Sequence, residues 1–99
     1  VDSGIGGATA AAVGERLALL GKTIQVLVVT HSPQVAAKGG KHFRIWKASN
    51  VDKNTTLVDP LGVEDRIEEI ARMLAGSNVT EAARAAANQL LAEHFTENS

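Results

Sequence analysis

The spacing of apolar residues changes several times along the chain, and each change predicts a different element. Ala10, Val13, Leu17 and Leu20 recur at steps of three and four, so Ala8 to Leu20 reads as a helix with one apolar stripe, entered from Gly4-Ile5-Gly6-Gly7 and capped by Gly21. Ile24 to Val29 (IQVLVV) is almost continuously apolar and β-branched, which predicts a buried strand of a parallel sheet. Thr30, His31 and Ser32 place polar groups at its carboxyl end. Pro33 then suits the first turn of a short helix through Ala37, which Gly39-Gly40 stops.

Further on, the period falls to two. His42 to Lys47 sets Phe43 and Ile45 against Arg44 and Trp46, and Thr55 to Val58 can pair with it, giving a hairpin over about 42–58 with Asp59-Pro60 as its breaker. Val63, Ile67, Ile70, Ala71 and Leu74 restore the helical period, opposite Glu64, Asp65, Glu68, Glu69 and Arg72, and Gly76 ends that helix. Thr80 is an N-cap with Glu81 in the first turn, and Ala83, Ala87, Leu90 and Leu91 stripe a last helix, so the helical end covers about 62–95. The tail from Thr96 should fray. The expected fold class is α/β: helix, buried parallel strand, short helix, β-hairpin, two C-terminal helices. The strand that should precede the first helix is not in the chain, and Val1 opens it without a methionine, so a segment of a longer protein is expected.

Composition bounds this picture. At 10.3 kDa the folded form should expose about 5,400 Å² against about 15,000 Å² unfolded, enough to bury a modest core. The absence of cysteine excludes disulfides, thiolate metal sites and thiol nucleophiles, and agrees with a reducing compartment. No apolar run approaches the roughly 18 residues of a membrane span, so no membrane partner is expected. The net charge of −1 argues against a generic polyanion binder, but residues 1–53 carry seven basic and three acidic side chains and residues 54–99 carry three and eight.

Candidate chemistry is sparse when the motifs are taken singly. Gly4 to Gly7 at a helix start could approach an anion, yet it lacks a preceding strand and the later acidic residue of a dinucleotide fingerprint. Gly21-Lys22-Thr23 precedes a strand and has Arg16 where a Walker A loop needs glycine. His31 stands where ligands bind in α/β sheets, but a hydrogen-bonded structural histidine is the simpler account of it alone. His42 and His94 lack metal-ligand spacing, and Ser3 lacks the elbow of a nucleophilic serine. Lys38, Lys41, Arg44 and Lys47, with His42 and Trp46 among them, could touch phosphate or simply pair with the acidic second half.

Taken together, Val-Asp-Ser-Gly-Ile-Gly-Gly, VLVVTHSPQVA, RIEEIARMLAG and VTEAARAAANQLL resemble the C-terminal end of the RecN family, bacterial SMC-like, ABC-type ATPases of DNA double-strand-break repair. The resemblance implies that Val1 to Gly7 is a D-loop with Asp2 as its aspartate and Ser3 and Gly4 near nucleotide. His31 would be the switch histidine of the loop 30–34, contacting the γ-phosphate. It further implies ATP and Mg²⁺ as cofactors of the parent protein and a cytoplasmic, nucleoid-associated setting. The implied partners are the rest of the same ATPase head, a second head in a homodimer, and DNA. The Walker A loop, Walker B Asp-Glu, signature motif and coiled coil would lie upstream of Val1, so the chain alone should neither bind nor hydrolyse ATP. Two other readings stay open: a non-catalytic α/β interaction module, and a small phosphate-binding enzyme using Gly4 to Gly7 with His31.

Overall fold

The computed structural model describes residues 6–50 and 53–97. Helix α1 (Gly7–Leu20) starts from extended Gly6 and closes at Gly21, whose N–H bonds to the Leu17 carbonyl. The one-turn helix α2 (Pro33–Ala36) is followed by a hairpin of β1 (Phe43–Asn50) and β2 (Lys53–Pro60), then by α3 (Val63–Ala75) and α4 (Glu81–Glu97). Gly76 ends α3 at a φ of 79°, a left-handed conformation that a Cβ would strain, and its N–H reaches the Arg72 carbonyl. Thr80 caps α4 by accepting the Ala83 N–H at 3.1 Å.

The core lies between α2, α3 and α4, where Ala37, Ile70, Ala71, Ala83, Ala87 and Leu91 are buried with Ile67, Met73, Val79 and Leu90 packed around them. Alanines predominate because they let the helix backbones approach closely. Glu68 reinforces the pairing of α3 and α4 through Arg84, whose Nε lies 2.8 Å from its carboxylate. A second close approach joins α1 to α2 at Gly14, where a Cβ would sit 3.3 Å from both the Gln34 carbonyl and Val35 Cα.

The expected buried strand is corrected by the structure. Residues 25–30 form neither helix nor strand, and Leu27 is 88% exposed and Val29 73%. Among the described residues the only sheet is the antiparallel hairpin, so this segment has no strand beside it to pair with its backbone. Leu19, Leu20 and Ile24 are exposed beside it in sequence.

The hairpin pairs Phe43 with Pro60, Ile45 with Val58 and Trp46 with Leu57, so β2 runs through Asp59-Pro60 instead of stopping before it. A proline is tolerated at that strand end because a two-stranded ribbon has only edges. The alternation of β1 is present, but its apolar face, Phe43, Ile45 and Val58, is exposed. The ribbon is tied down at its base, where the Leu61 N–H bonds to the His42 carbonyl at 2.9 Å. The accessible area of 6989 Å² lies above the roughly 5,400 Å² expected of a closed domain of this mass.

Candidate functional site

His31 sits in a turn whose backbone is held from within. Thr30 Oγ1 accepts the Ser32 N–H at 3.0 Å, and Ser32 Oγ donates to Gln34 Oε1 at 3.1 Å while accepting the Val35 N–H at 3.4 Å. Pro33, with its fixed φ, occupies the first turn of α2. The sequence Thr-His-Ser-Pro-Gln therefore builds a capped turn in which Thr30 and Ser32 use their hydroxyls on the backbone and His31 remains exposed.

Gln34 also meets the start of α1: a Cβ on Gly7 would lie 3.5 Å from Gln34 Nε2. Gly7, three residues after Gly4 in the chain, thus borders the His31 turn. Asp2, Ser3 and Gly4 themselves lie outside the described residues.

At its other end the turn meets α3. Arg66 Nη2 donates to the carbonyls of Ala36 at 3.2 Å and Ala37 at 3.4 Å, and more closely to that of Gly39. Burial lowers the Arg66 pKa, and Arg66 Nε and His42 Nδ1 are buried without a hydrogen-bond partner. His42 is held below the ordinary imidazole value by burial and then by the Arg66 charge, with Glu69 pulling the other way. The Glu69 carboxyl is held low, first by its hydrogen bond with Arg72.

The basic run divides on folding. Lys38 is 5% exposed with its ammonium 3.7 Å from Glu15 Oε1, so it is not part of an exposed basic surface. Arg44 Nε lies 3.9 Å from Glu69 Oε2, and its guanidinium stands 5.9 Å from the Trp46 ring centroid. Trp46 Nε1 donates in turn to Asp59 at 2.7 Å. Lys41 and Lys47 are exposed. Among the described residues no group of three His, Asp or Glu side chains could hold a metal ion, and no helix is long and apolar enough to cross a membrane.

The chain is 50% identical over 93 residues to the DNA repair protein RecN of Xylella fastidiosa (strain 9a5c), a match covering 94% of this chain and 17% of that protein. It is 49% identical over 92 residues to the RecN of Deinococcus radiodurans, covering 93% and 16%, and 47% identical over 91 residues to that of Vibrio cholerae, covering 92% and 16%. The chain belongs to the RecN family. It spans 16–17% of the length of these relatives. A scan against protein-family profiles returned no match.

Arg66 opens the RIEEIARMLAG run, to which the sequence pattern alone gives no role beyond packing. Two signals mark it. It falls on the apolar stripe, four residues before Ile70, and it puts a cation in the first turns of a helix, where the macrodipole disfavours positive charge. A charge in a place that both rules oppose points to a tertiary partner.

Proposed function

We propose that this chain supplies the last part of the SMC-like, ABC-type ATPase head of a RecN DNA repair protein, with His31 as its switch histidine. The observation that carries the reading is the exposed His31 on a capped turn that directly follows the apolar segment 24–29. The uncovered side chains of Ile24, Leu27 and Val29 fit a strand that takes its place beside others supplied by the rest of the head.

The residues present fit a single phosphate contact rather than a nucleotide pocket. ATP with Mg²⁺, when bound, supplies the phosphoryl group transferred to water. His31 would donate an N–H to the charge developing on the γ-phosphate, an interaction stronger in the reacting state than in the bound ground state. Ser32 and Thr30 hold the turn and keep that donor in place. Asp2 would lie at the face met by a second head, with Ser3 and Gly4 near the nucleotide, and DNA would be reached by the complete protein.

In the complete protein His31→Ala should lower ATP turnover about 100- to 1,000-fold while leaving nucleotide affinity within a few-fold. Normal turnover would refute the assignment. Asp2→Ala should weaken ATP-dependent pairing of heads, and unchanged pairing would remove that part of the reading. For the 99-residue chain alone, titration calorimetry with ATP should give no heat of binding; measurable affinity would favour the small phosphate-binding enzyme instead.

A further inference from the structure

We propose that Arg66 is a positioning residue: its guanidinium locks the C-terminal end of α2 and thereby the turn that presents His31. The proposal rests on the switch-histidine reading for its functional consequence, and on geometry for the lock itself.

A helix of one turn cannot hold its own shape, because nucleating it fixes several residues for a single hydrogen bond. The N-terminal end of α2 is secured by Ser32. Its C-terminal end runs into Gly39-Gly40, the most freely rotating dipeptide in this stretch, and is closed by tight i to i+3 bonds, Lys38 N–H to the Val35 carbonyl at 3.1 Å and Gly39 N–H to the Ala36 carbonyl at 3.2 Å. Arg66 adds to these a single nitrogen that donates to the carbonyls of Ala36, Ala37 and Gly39 together. These are charge-assisted bonds in a half-buried setting, and a basic side chain is the group that satisfies the end carbonyls of a helix. The partner element is α3, which packs into the core through Ile70 and Ala71, so the lock fastens the short turn to the most buried part of the molecule. Ala37 also lies in that core, and a purely structural Arg66 would act on the whole helical unit instead of on the turn.

The complete protein distinguishes the two. Arg66→Met keeps the aliphatic stem and removes the donors, while Arg66→Lys keeps a cation with a shorter reach. Without nucleotide, Arg66→Met should raise amide exchange in peptides covering residues 31–41 and leave those covering 81–91 protected, and Arg66→Lys should restore part of the protection. At a temperature where the variants are folded by circular dichroism, kcat should fall about 10- to 100-fold with ATP affinity within about twofold, since displacing a reacting group by about an ångström has effects of that size. Exchange rising equally across α3 and α4, or unchanged exchange in residues 31–41, overturns the lock. His31→Ala is measured alongside. If it abolishes turnover while Arg66→Met turns over normally, positioning fails and the switch reading stands. If His31→Ala turns over normally, the switch reading fails, and the exchange pattern alone upholds or overturns the lock. Should Arg66→Met not fold, Arg66→Lys is read by the same criteria against the wild type.

Discussion

Ala71 and Ala87 offer little apolar surface and are completely buried, whereas Leu27, one of the most hydrophobic side chains in the chain, is 88% exposed. The contrast separates two regions: α3 and α4, which find each other within the chain, and residues 19–29 with the hairpin, which do not. Apolar strength therefore does not decide burial here. What decides it is whether a complementary surface is present, since the free energy of burial needs something to exclude water. The same contrast explains why the molecule is extended, with a Cα radius of gyration of 14.2 Å against about 12.6 Å for a compact domain of this length.

The largest effects should come from substitutions that set the two regions against each other. Ile70 is fully buried, so Ile70→Ala should cost about 2–5 kcal/mol in urea unfolding of the chain, mostly from lost burial and the cavity left behind. Leu27→Ala in the same chain should change stability by less than about 0.5 kcal/mol. In the complete protein the two costs should become comparable if the rest of the head covers Leu27. A Leu27→Ala that stays neutral there would break the proposed docking of this segment.

A smaller effect is expected where α1 meets α2. Gly14→Leu would drive a side chain into the Gln34 carbonyl and Val35 Cα, both backbone atoms that cannot swing aside, and should cost about 1–3 kcal/mol. The measurement is the urea midpoint, with amide exchange in α1 showing whether that helix has come away from α2. No loss would mean that α1 is only loosely seated.

Acidification should weaken the base of the hairpin in two stages. The unfolded chain protonates His42 near pH 6.5, whereas burial and Arg66 resist that proton in the folded state, so stability falls as pH drops below about 6.5 toward the folded value. Glu69 shifts the other way relative to its own charge: its folded pKa is depressed, first by the Arg72 hydrogen bond and also by Arg44 and His42, so its contribution is present above about pH 4.5 and disappears as pH falls through the folded value. Melting temperatures of wild type and His42→Gln should therefore diverge between about pH 7 and pH 5.5 and the variant should be the flatter. Equal slopes would remove His42 from the account.

Periodicity made the helices and the hairpin legible, because a stripe at 3.6 or 2 residues is written locally. The composition of Ile24–Val29 predicts a buried strand because it requires a sheet, and composition cannot tell whether the neighbouring strands are in the same chain. Lys38 was grouped with Lys41, Arg44 and Lys47 by adjacency, while its partner Glu15 lies one helix upstream and becomes a neighbour only through the Gly14 contact. The turn that carries His31 is legible from Pro33, which suits the first turn of the short helix after it. The Arg66 lock is not, since its acceptors are backbone carbonyls that no residue type advertises.

The smallest effect concerns DNA, and it is set by the same difference between covered and uncovered surface. With Lys38 withdrawn, Lys41, Arg44 and Lys47 are left, and in an alternating strand Arg44 and Lys47 point to opposite faces. One duplex can then meet Lys41 with one of the two, so at most two phosphates are neutralised. Each contributes about −0.9 to the slope of log affinity against log salt, and Lys41→Glu combined with Lys47→Glu in the complete protein should flatten that slope by no more than about two units. Arg44→Glu is the contrasting variant. It sets a carboxylate against Glu69, and should lower the melting temperature without flattening the slope. A slope untouched by the lysine pair, together with a lower melting temperature for Arg44→Glu, would make the run a structural partner of α3 and leave the hairpin with no share in DNA contact.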